Sequence, residues 1–288
     1  MKRLLFFVNP NAGHTEIRSS LMQVIQIFTA GGYEVTVHPT AGPRDLTRQI
    51  MERGADYDLI VCTGGDGTLN EATSGLMQLE HRPPLGYIPG GTVNDVASSL
   101  GLSRDPVVAA QDIVHGKPFA IDIGAFGENR WFDYVAAFGL FTNVPYQTPQ
   151  VDKRIWGRMA YFFNGVQALG EVHPVHARVS WDGKTVEADI IDGLVCSTTS
   201  VGGFKATRAV GEFGISMNDG LYEVVLIRDI KNLADFSAVA AKLLWMDFSD
   251  ENYFITAQTS AIRFEFDDSV AWTLDGEFGG ALHNVQIT

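Results

Sequence analysis

A glycine-rich turn near residue 65 constrains the fold of this chain more than any other feature. Its sequence is Gly64-Gly65-Asp66-Gly67-Thr68-Leu69-Asn70-Glu71. The apolar run 57–63 before it has the length of a strand that is buried on both faces of a parallel sheet. After it, apolar residues keep the spacing of one helix face: Leu69, Ala72, Leu76 and Leu79. The turn therefore joins a strand to a helix, at the sheet edge where open α/β folds bind ligands.

The composition of this turn points to a phosphate ligand. Three glycines in four residues let the backbone approach a ligand closely and leave N–H groups free to face phosphate oxygens. The Asp66 carboxylate would repel a phosphate unless a metal ion or a hydrogen-bond network absorbs its charge. The combination indicates a nucleotide with Mg²⁺, and the alternative is a turn that only reverses the chain. A second turn of this type, 89–95, follows the short strand 85–88 and favours the ligand site.

Two domains are predicted from the order of strands and helices in this α/β chain. Up to residue 118, four predicted strands alternate with helices, which is typical of a Rossmann-like parallel sheet: 3–8, 33–37, 57–63 and 85–88. A strand at 119–124 and then mostly short β runs follow, which predicts a sandwich-like, β-rich domain over 119–279. We predict that the C-terminal strand, about 280–288, returns to the first domain, 1–118.

The composition is that of an ordinary globular protein and argues against several classes. The 288 residues are 45% hydrophobic and 19% charged, which suffices for a buried core in each of two domains. The net charge of −13 argues against a nucleic-acid partner. No apolar run approaches the roughly 20 residues that span a bilayer, and no cleavage site follows Met1, so we predict neither a transmembrane helix nor a signal peptide. Cys62 and Cys196 lie in apolar runs and are predicted to be buried free thiols, which fits the cytoplasm.

Taken together, the two glycine-rich turns resemble those of a known family. Gly-Gly-Asp-Gly-Thr-Leu-Asn-Glu at 64–71 and Pro-Gly-Gly-Thr-x-Asn-Asp at 89–95 resemble the diacylglycerol-kinase catalytic family, and more narrowly its soluble bacterial lipid kinases. The resemblance extends from Asn9 to Glu277. It implies an ATP- and Mg²⁺-dependent kinase that transfers the γ-phosphate to the hydroxyl of a diacylglycerol-like lipid alcohol, with the active site in the cleft between the domains.

The resemblance also implies which residues hold the nucleotide. They come from the first strand-to-helix loop, the end of the second strand and the two glycine-rich turns: Asn9, Pro10, Asn11, Ala12, Gly13, Thr40, Gly64, Gly65, Asp66, Gly67, Thr68, Leu69, Asn70, Glu71, Gly91, Thr92 and Asp95. By spacing alone, 9–13 is an ordinary Asn-Pro turn and Thr40 is a threonine at a strand end. Asp66 and Asp95 would belong to the electrostatic network of the nucleotide. The family often has Lys directly after the first loop, where this chain has His14.

A second acidic turn is assigned to catalysis by the same resemblance. By spacing alone, Asp275-Gly276-Glu277 is a hairpin turn with surface carboxylates. The family places its proton acceptor here, which implies that role for Glu277, with Asp275 as the alternate or the partner. The chemistry agrees, because an alcohol that attacks a γ-phosphate must lose its proton, and a carboxylate within hydrogen-bond reach can accept it.

The metal site is also implied only by the resemblance. By spacing alone, 216–221 is a turn. In the family such a loop holds Mg²⁺ through one Asp side chain and two backbone carbonyls, which implies Asp219, Ser216 and Leu221 here. Many relatives have Asp-Asp-Gly at this point, whereas this chain has Asn218 first. Asp122 matches a further acidic position near the nucleotide, and the alternative for Asp122 is a buried structural carboxylate.

The predicted partners follow from the implied reaction. We expect a lipid alcohol substrate and a transient membrane surface, and therefore a cytoplasmic protein that is peripheral at the membrane. The basic and aromatic segment 153–158 is the predicted docking site, and the alternative is that it belongs to an apolar helix over 155–169 packed on its own domain. Two other functions remain open, an NAD kinase and an ATP-binding regulator without catalysis. The identity of the lipid and the oligomeric state, including a homodimer, stay open as well.

Overall fold

The computed structural model describes residues 1–10, 16–139, 173–198, 200–201, 204–205, 216–244 and 247–288. The chain divides into two compact units, Met1–Ala120 and Ile121–Thr288, which are called the N-terminal and C-terminal units below. No helix among the described residues is long and apolar enough to cross a membrane. Both cysteines are buried thiols, as predicted.

The N-terminal unit is a four-stranded parallel sheet covered by helices, and the prediction of this architecture is confirmed. The strands are β1 (Lys2–Val8), β2 (Tyr33–Pro39), β3 (Leu59–Gly64) and β4 (Leu85–Pro89). The helices are α1 (Glu16–Ala30), α2 (Asp45–Arg53), α3 (Asp66–Leu76), α4 (Asp95–Leu100) and α5 (Pro106–His115), with a 3₁₀ turn at Gly54–Asp56. The strand order is β2-β1-β3-β4. β2 lies on one side of β1, and β3 and β4 lie on the other side. The sheet therefore has a topological switch point between β1 and β3, where such sheets bind ligands.

Apolar residues on both faces of the central strands explain why this sheet is buried between helix layers. Leu4, Phe6 and Val61 pack against α1 and α5 in one core cluster. Right-handed crossovers place α2 and α3 on the opposite face. There α2 and α3 pack closely, because a Cβ on Gly75 would lie only 2.9 Å from the Ile50 Cβ. The sheet is therefore fixed on both sides, and its carboxyl edge is rigidly supported.

The C-terminal unit is dominated by one seven-stranded antiparallel sheet that folds over its own core, and its β-rich character is confirmed. The short strands are β5 (Gly124–Ala125), β6 (Trp131–Phe132), β10 (Ser200–Val201) and β11 (Phe204–Lys205). The main sheet contains β7 (Val135–Gly139), β8 (Val175–Trp181), β9 (Lys184–Cys196), β12 (Tyr222–Arg228), β13 (Phe254–Thr259), β14 (Ile262–Leu274) and β15 (Glu277–Ile287). The helix α6 (Leu233–Leu244) packs on it through Phe236 and Val239.

Two long strands close this sheet on itself. β9 and β14 have 13 residues each, and each pairs with β7 near one end and with β8 near the other. The ring β7-β9-β8-β14 encloses an aromatic core that includes Phe138, Phe264 and Trp272. β9 is one continuous strand, because its apolar alternation continues through Asp189.

The prediction that the C-terminal strand joins the first domain is wrong. β15 pairs antiparallel with β14 from Glu277 opposite Leu274 to Ile287 opposite Ile262, so residues 280–288 belong to the C-terminal unit. The physical reason is the turn between them, because Asp275 and Gly276 have φ values of 49° and 85° and reverse the chain directly onto β14. Val285 and Ile287 then fill the core of the C-terminal unit.

The predicted strand at 119–124 is also not formed. Within the part of the chain that the structure describes, Gly124–Ala125 pairs with β6 and the preceding residues of this segment join no ladder. Phe119 is 60% exposed, so this apolar side chain does not belong to a buried strand face. The predicted helix over 155–169 lies outside the described residues.

Candidate active site

The carboxyl edge of the parallel sheet brings together predicted nucleotide residues from four strands. The Thr40 N–H donates to the Val8 carbonyl at 3.0 Å, and the Asn9 N–H donates to the Thr63 carbonyl at 3.4 Å. On the other side of β3, Gly64 is in register with Pro89 of β4. The ends of the four strands therefore lie side by side, as predicted for parallel strands. The remaining residues of the first loop, Asn11, Ala12 and Gly13, lie outside the described residues.

The two glycine-rich turns contact each other backbone to backbone. The Gly90 N–H donates to the Gly64 carbonyl at 2.7 Å. A Cβ on Gly91 would lie 2.5 Å from the Gly65 Cα, which is closer than real Cβ contacts allow. The glycines are thus required for the approach of one turn to the other, whereas the sequence explained them only by the approach of a ligand.

The amino end of α3 offers N–H groups at this edge. Gly65 is the N-cap, has extended backbone angles and provides no side-chain cap. The first N–H groups of a helix have no carbonyl partner within the helix, and the helix dipole favours negative charge there. Across the switch point, the Asn9 side-chain amide donates to the Thr68 hydroxyl at 3.3 Å. The arrangement is suited to a phosphate group bound beside the first turn of α3.

Asp66, the first residue of α3, is a largely buried carboxylate. Its Oδ2 accepts the Asn94 N–H at 2.9 Å, and its Oδ1 is buried with no hydrogen-bond partner among the described residues. Burial, and secondarily the charge of Asp95, raises the pKa of Asp66. Asp95 is itself buried at the start of α4. The charge of Asp95 thus opposes ionisation of the buried Asp66 carboxyl.

In the C-terminal unit, the turn at 275–276 separates the two candidate catalytic carboxylates. Asp275 is only 7% exposed, and its carboxylate accepts the N–H groups of Asp133, Tyr134 and Val135 at 2.6, 3.0 and 3.0 Å. Such a carboxylate anchors the turn to the start of β7 and has little capacity left for a substrate proton. Glu277, the first residue of β15, is exposed. The structure thus gives Asp275 a structural position and leaves Glu277 accessible.

The loop 216–221 is organised around two aspartates. The Asp122 carboxylate accepts the Gly220 N–H at 2.8 Å, and the Asp122 N–H donates to the Met217 carbonyl at 2.7 Å. Asp219 uses one carboxylate oxygen to accept the Leu221 N–H at 3.0 Å. Asp122 therefore shapes the loop that carries the predicted metal ligands. Within the part of the chain that the structure describes, no three His, Cys, Asp or Glu side chains converge as a metal site.

Comparisons with known proteins identify the family. The profile of the diacylglycerol kinase catalytic domain matches residues 3–126. A diacylglycerol kinase of Bacillus subtilis strain 168 is 34% identical over 284 residues, which cover 98% of this chain and 92% of that protein. The chain belongs to the diacylglycerol kinase family. A diacylglycerol kinase of Staphylococcus aureus strain MRSA252 is 30% identical over 283 residues, which cover 98% of this chain and 88% of that protein.

Solved structures support the same fold for this diacylglycerol kinase family member. A Bacillus anthracis strain Sterne crystal structure superposes with a TM-score of 0.82 at 24% identity, over 99% of this chain and 91% of the other. A second, of a diacylglycerol kinase from the same strain, gives 0.75 at 22% identity, over 99% and 93% of the two chains. These structures confirm the fold, and the sequence relatives confirm the predicted family and its class, lipid kinases.

Several residues of the family motif have structural partners in this chain. The Glu71 carboxylate accepts the Arg44 N–H at 2.9 Å, and the Thr47 hydroxyl donates to the Glu71 carbonyl at 2.8 Å, so Glu71 ties α3 to the start of α2. The Leu69 side chain is buried in the core. Thr92 is exposed at the second turn. Glu71 and Leu69 therefore hold the motif in the fold, whereas Thr92 remains accessible at the sheet edge.

The sequence missed two residues that hold this edge together. They are Tyr87 on β4 and Asn94 before α4, which hydrogen-bond to each other and to both glycine turns. Asn94 lay within the recognised motif, and its left-handed backbone (φ 57°) is typical of asparagine in turns. Nothing in the sequence distinguishes Tyr87 from an ordinary strand tyrosine.

The buried Asp66 carboxylate leads to a prediction about stability. The pKa of Asp66 is raised above its ordinary value of 3.8, so the folded protein binds this proton more tightly than the unfolded chain does. The protonated carboxyl therefore stabilises the fold below that value, and this stabilisation is lost as the pH rises through the raised folded-state pKa. Asp66→Asn keeps an oxygen for the Asn94 N–H and removes the repulsion by Asp95. We therefore expect the variant to melt about 2–4 °C above the parent at pH 8, the shift for about 1 kcal/mol in such a chain. The difference in melting temperature should shrink at pH 4. The KM of the Asp66→Asn variant for ATP should rise.

Thermal unfolding at both pH values measures this difference. Asp112→Asn, at an exposed position on α5, is the matched control and should stay within about 0.5 kcal/mol of the parent. An Asp66→Asn protein that is less stable than the parent at pH 8 would contradict the prediction.

Proposed function

We propose that this protein is an ATP- and Mg²⁺-dependent kinase that transfers the γ-phosphate of ATP to the hydroxyl of a diacylglycerol-like lipid alcohol. The observation that carries the proposal is the contact between the two glycine turns at the carboxyl edge of the sheet, with the uncapped amino end of α3 beside it. Together with membership of the family, this edge supports a site for the phosphates of a nucleotide.

The nucleotide would be held by the residues that remain accessible at this edge. Asn9 follows β1 at the switch point, and Thr40 follows the neighbouring strand β2. Gly65 and Gly67 would present backbone N–H groups, and Thr92 lies exposed at the second turn. Backbone donors suit phosphates because they are fixed by the fold before the ligand arrives. The turns therefore supply position and charge stabilisation, which are the main requirements of phosphoryl transfer.

Glu277 would accept the proton of the lipid hydroxyl. The lipid oxygen forms a bond to the γ-phosphorus while the bond to the β-phosphate oxygen breaks, and the hydroxyl proton passes to the Glu277 carboxylate. The position of Glu277 is fixed by the hairpin turn, which Asp275 anchors through three backbone N–H groups. An exposed base on a rigid turn suits a substrate that arrives from a lipid surface.

The residues that would hold Mg²⁺ have suitable chemistry. Ser216 and Leu221 would offer carbonyl oxygens and Asp219 a carboxylate, and hard cations such as Mg²⁺ prefer oxygen ligands. One carboxylate oxygen of Asp219 accepts the Leu221 N–H, and the other oxygen takes no part in that hydrogen bond. When bound with ATP, Mg²⁺ offsets the negative charge of the phosphates.

The membrane enters the proposal through the substrate. A lipid alcohol keeps its hydroxyl near the bilayer surface, so the enzyme would contact that surface transiently during turnover. The segment predicted to dock, 153–158, lies outside the described residues.

Phosphate transfer to a panel of lipids tests the proposal. The purified protein would be incubated with ATP, with and without Mg²⁺, and with detergent-dispersed diacylglycerol, polyprenol or sphingoid base, and NAD would be included as an acceptor. We expect Mg²⁺-dependent formation of a phosphorylated lipid, detected by mass spectrometry. Phosphorylation of NAD alone would instead indicate an NAD kinase. Binding of ATP without transfer to any acceptor would indicate a regulator.

A further inference from the structure

The Asn94 side chain satisfies the backbone polar groups of Gly91 in the second glycine turn. Its side chain is 1% exposed, its Oδ1 accepts the Gly91 N–H at 3.0 Å, and its Nδ2 donates to the Gly91 carbonyl at 2.7 Å. A single side-chain amide thus occupies both polar groups of Gly91. The Asn94 backbone N–H in turn donates to Asp66, in the first turn. Asn94 is therefore bonded to both turns.

Tyr87 makes the second bridge between the turns. Its buried hydroxyl lies 3.0 Å from the Gly64 carbonyl of the first turn and 3.2 Å from the Asn94 Oδ1 of the second. Tyr87 lies on β4, the strand that leads into the second turn, and a Cβ on Gly91 in that turn would lie only 2.5 Å from the Gly65 Cα of the first. Tyr87, Asn94 and the two turns form one hydrogen-bonded unit, in which the turns have no independent position.

We propose that Tyr87 and Asn94 form a clamp that sets the spacing of the two glycine turns and thereby the ATP affinity of the site. This inference rests on the nucleotide site proposed above. Both residues are positioning residues, because their polar atoms are buried and already bonded within the protein. The clamp holds the N–H donors of the turns in place before the nucleotide binds. Binding then does not have to order them, which is the usual gain from preorganisation.

The clamp acts on the turns and not on the sheet beneath them. β3 and β4 are joined by a register that runs from Ile60 opposite Leu85 to Gly64 opposite Pro89. That ladder and the helices on both faces remain when the clamp is removed. Loss of the clamp is therefore expected to loosen the turns locally, with a larger effect on nucleotide binding than on unfolding.

Three variants of the full-length protein test the clamp. Tyr87→Phe removes the shared hydroxyl, and Asn94→Gly removes the amide while it retains the left-handed backbone. We expect each to raise the Kd and the KM for ATP about tenfold, the effect of one lost buried hydrogen bond. The KM for lipid should not change. Because the two side chains share a bond, the double variant should lose less than the product of the single effects.

Tyr33→Phe is the matched control. Tyr33 is partly buried at the opposite, amino edge of the same sheet, in register with Lys2. The affinity of the Tyr33→Phe variant for ATP should stay within about twofold of that of the parent. ATP binding would be measured by equilibrium dialysis with Mg²⁺, and stability by thermal unfolding.

The outcomes separate the clamp from the proposed reaction. Parental ATP affinity in both single variants would overturn the clamp, and a lowered Tm with parental affinity would show a purely structural role and overturn it too. If the parent binds ATP but transfers no phosphate to lipid, the kinase proposal fails while the dialysis result still decides the clamp. If the parent does not bind ATP, both proposals are overturned.

Discussion

Glu277→Gln is expected to lower lipid phosphorylation by about 10²–10⁴-fold, the usual loss when a general base is removed. ATP binding should be retained, because the amide preserves the shape of the side chain and the glycine turns belong to the other unit. Glu277 is exposed at the start of β15, so stability should change little. The measurements are the ATP Kd and kcat with lipid well above its KM. A variant that phosphorylates lipid at the parental rate would exclude proton abstraction by Glu277.

Asp275→Asn provides the contrast to this variant. The asparagine would place an amide group among the N–H donors of Asp133, Tyr134 and Val135. A mismatched buried group of this kind costs about 1–3 kcal/mol, so we expect a lowered Tm together with a partial loss of kcat. A stable Asp275→Asn protein with a larger catalytic loss than Glu277→Gln would move the base to Asp275.

Gly91→Ala is expected to separate the two glycine turns. The new Cβ would lie 2.5 Å from the Gly65 Cα and 2.7 Å from the Asn94 Oδ1, and neither the backbone nor the bonded amide can move cheaply. Overpacking of this kind costs about 1–3 kcal/mol, and we expect ATP affinity to fall by more than about tenfold. Thermal unfolding and equilibrium dialysis measure the two effects.

Gly42→Ala is the control for a methyl group added to a glycine. A Cβ at Gly42 would meet no atom within 4 Å. Stability within about 0.5 kcal/mol of the parent and unchanged ATP affinity are expected there. If Gly91→Ala behaves like Gly42→Ala, the contact between the turns does not control nucleotide binding.

Local sequence signals predicted the N-terminal unit well because its structure is made of local units. Each strand is followed by its helix, and parallel strands place their carboxyl ends at one edge regardless of strand order. The contact between Gly65 and Gly91 was not predictable in this way. It depends on the register of β3 against β4, and on the Tyr87 hydroxyl that bridges the turns above it.

The C-terminal unit was predicted less completely because its decisive contacts are distant in the sequence. The role of Asp275 depends on three N–H groups about 140 positions earlier, which no spacing rule connects to it. The wrong prediction for the final strand has another cause, because a local signal for its correct placement was present in the sequence. Asp275-Gly276 is a strong two-residue hairpin signal, and it already implied that β15 returns along β14.

The ring of β7, β9, β8 and β14 has a consequence for synthesis on the ribosome. In the N-terminal unit, each strand finds its partners within a short stretch of chain, so its sheet can form early. β7 must wait until β14 and Asp275 have been translated before its edge and the N–H groups of 133–135 are paired. Nascent chains that stall before residue 275 would therefore present an incomplete sheet edge, the kind of surface that chaperones shield from aggregation.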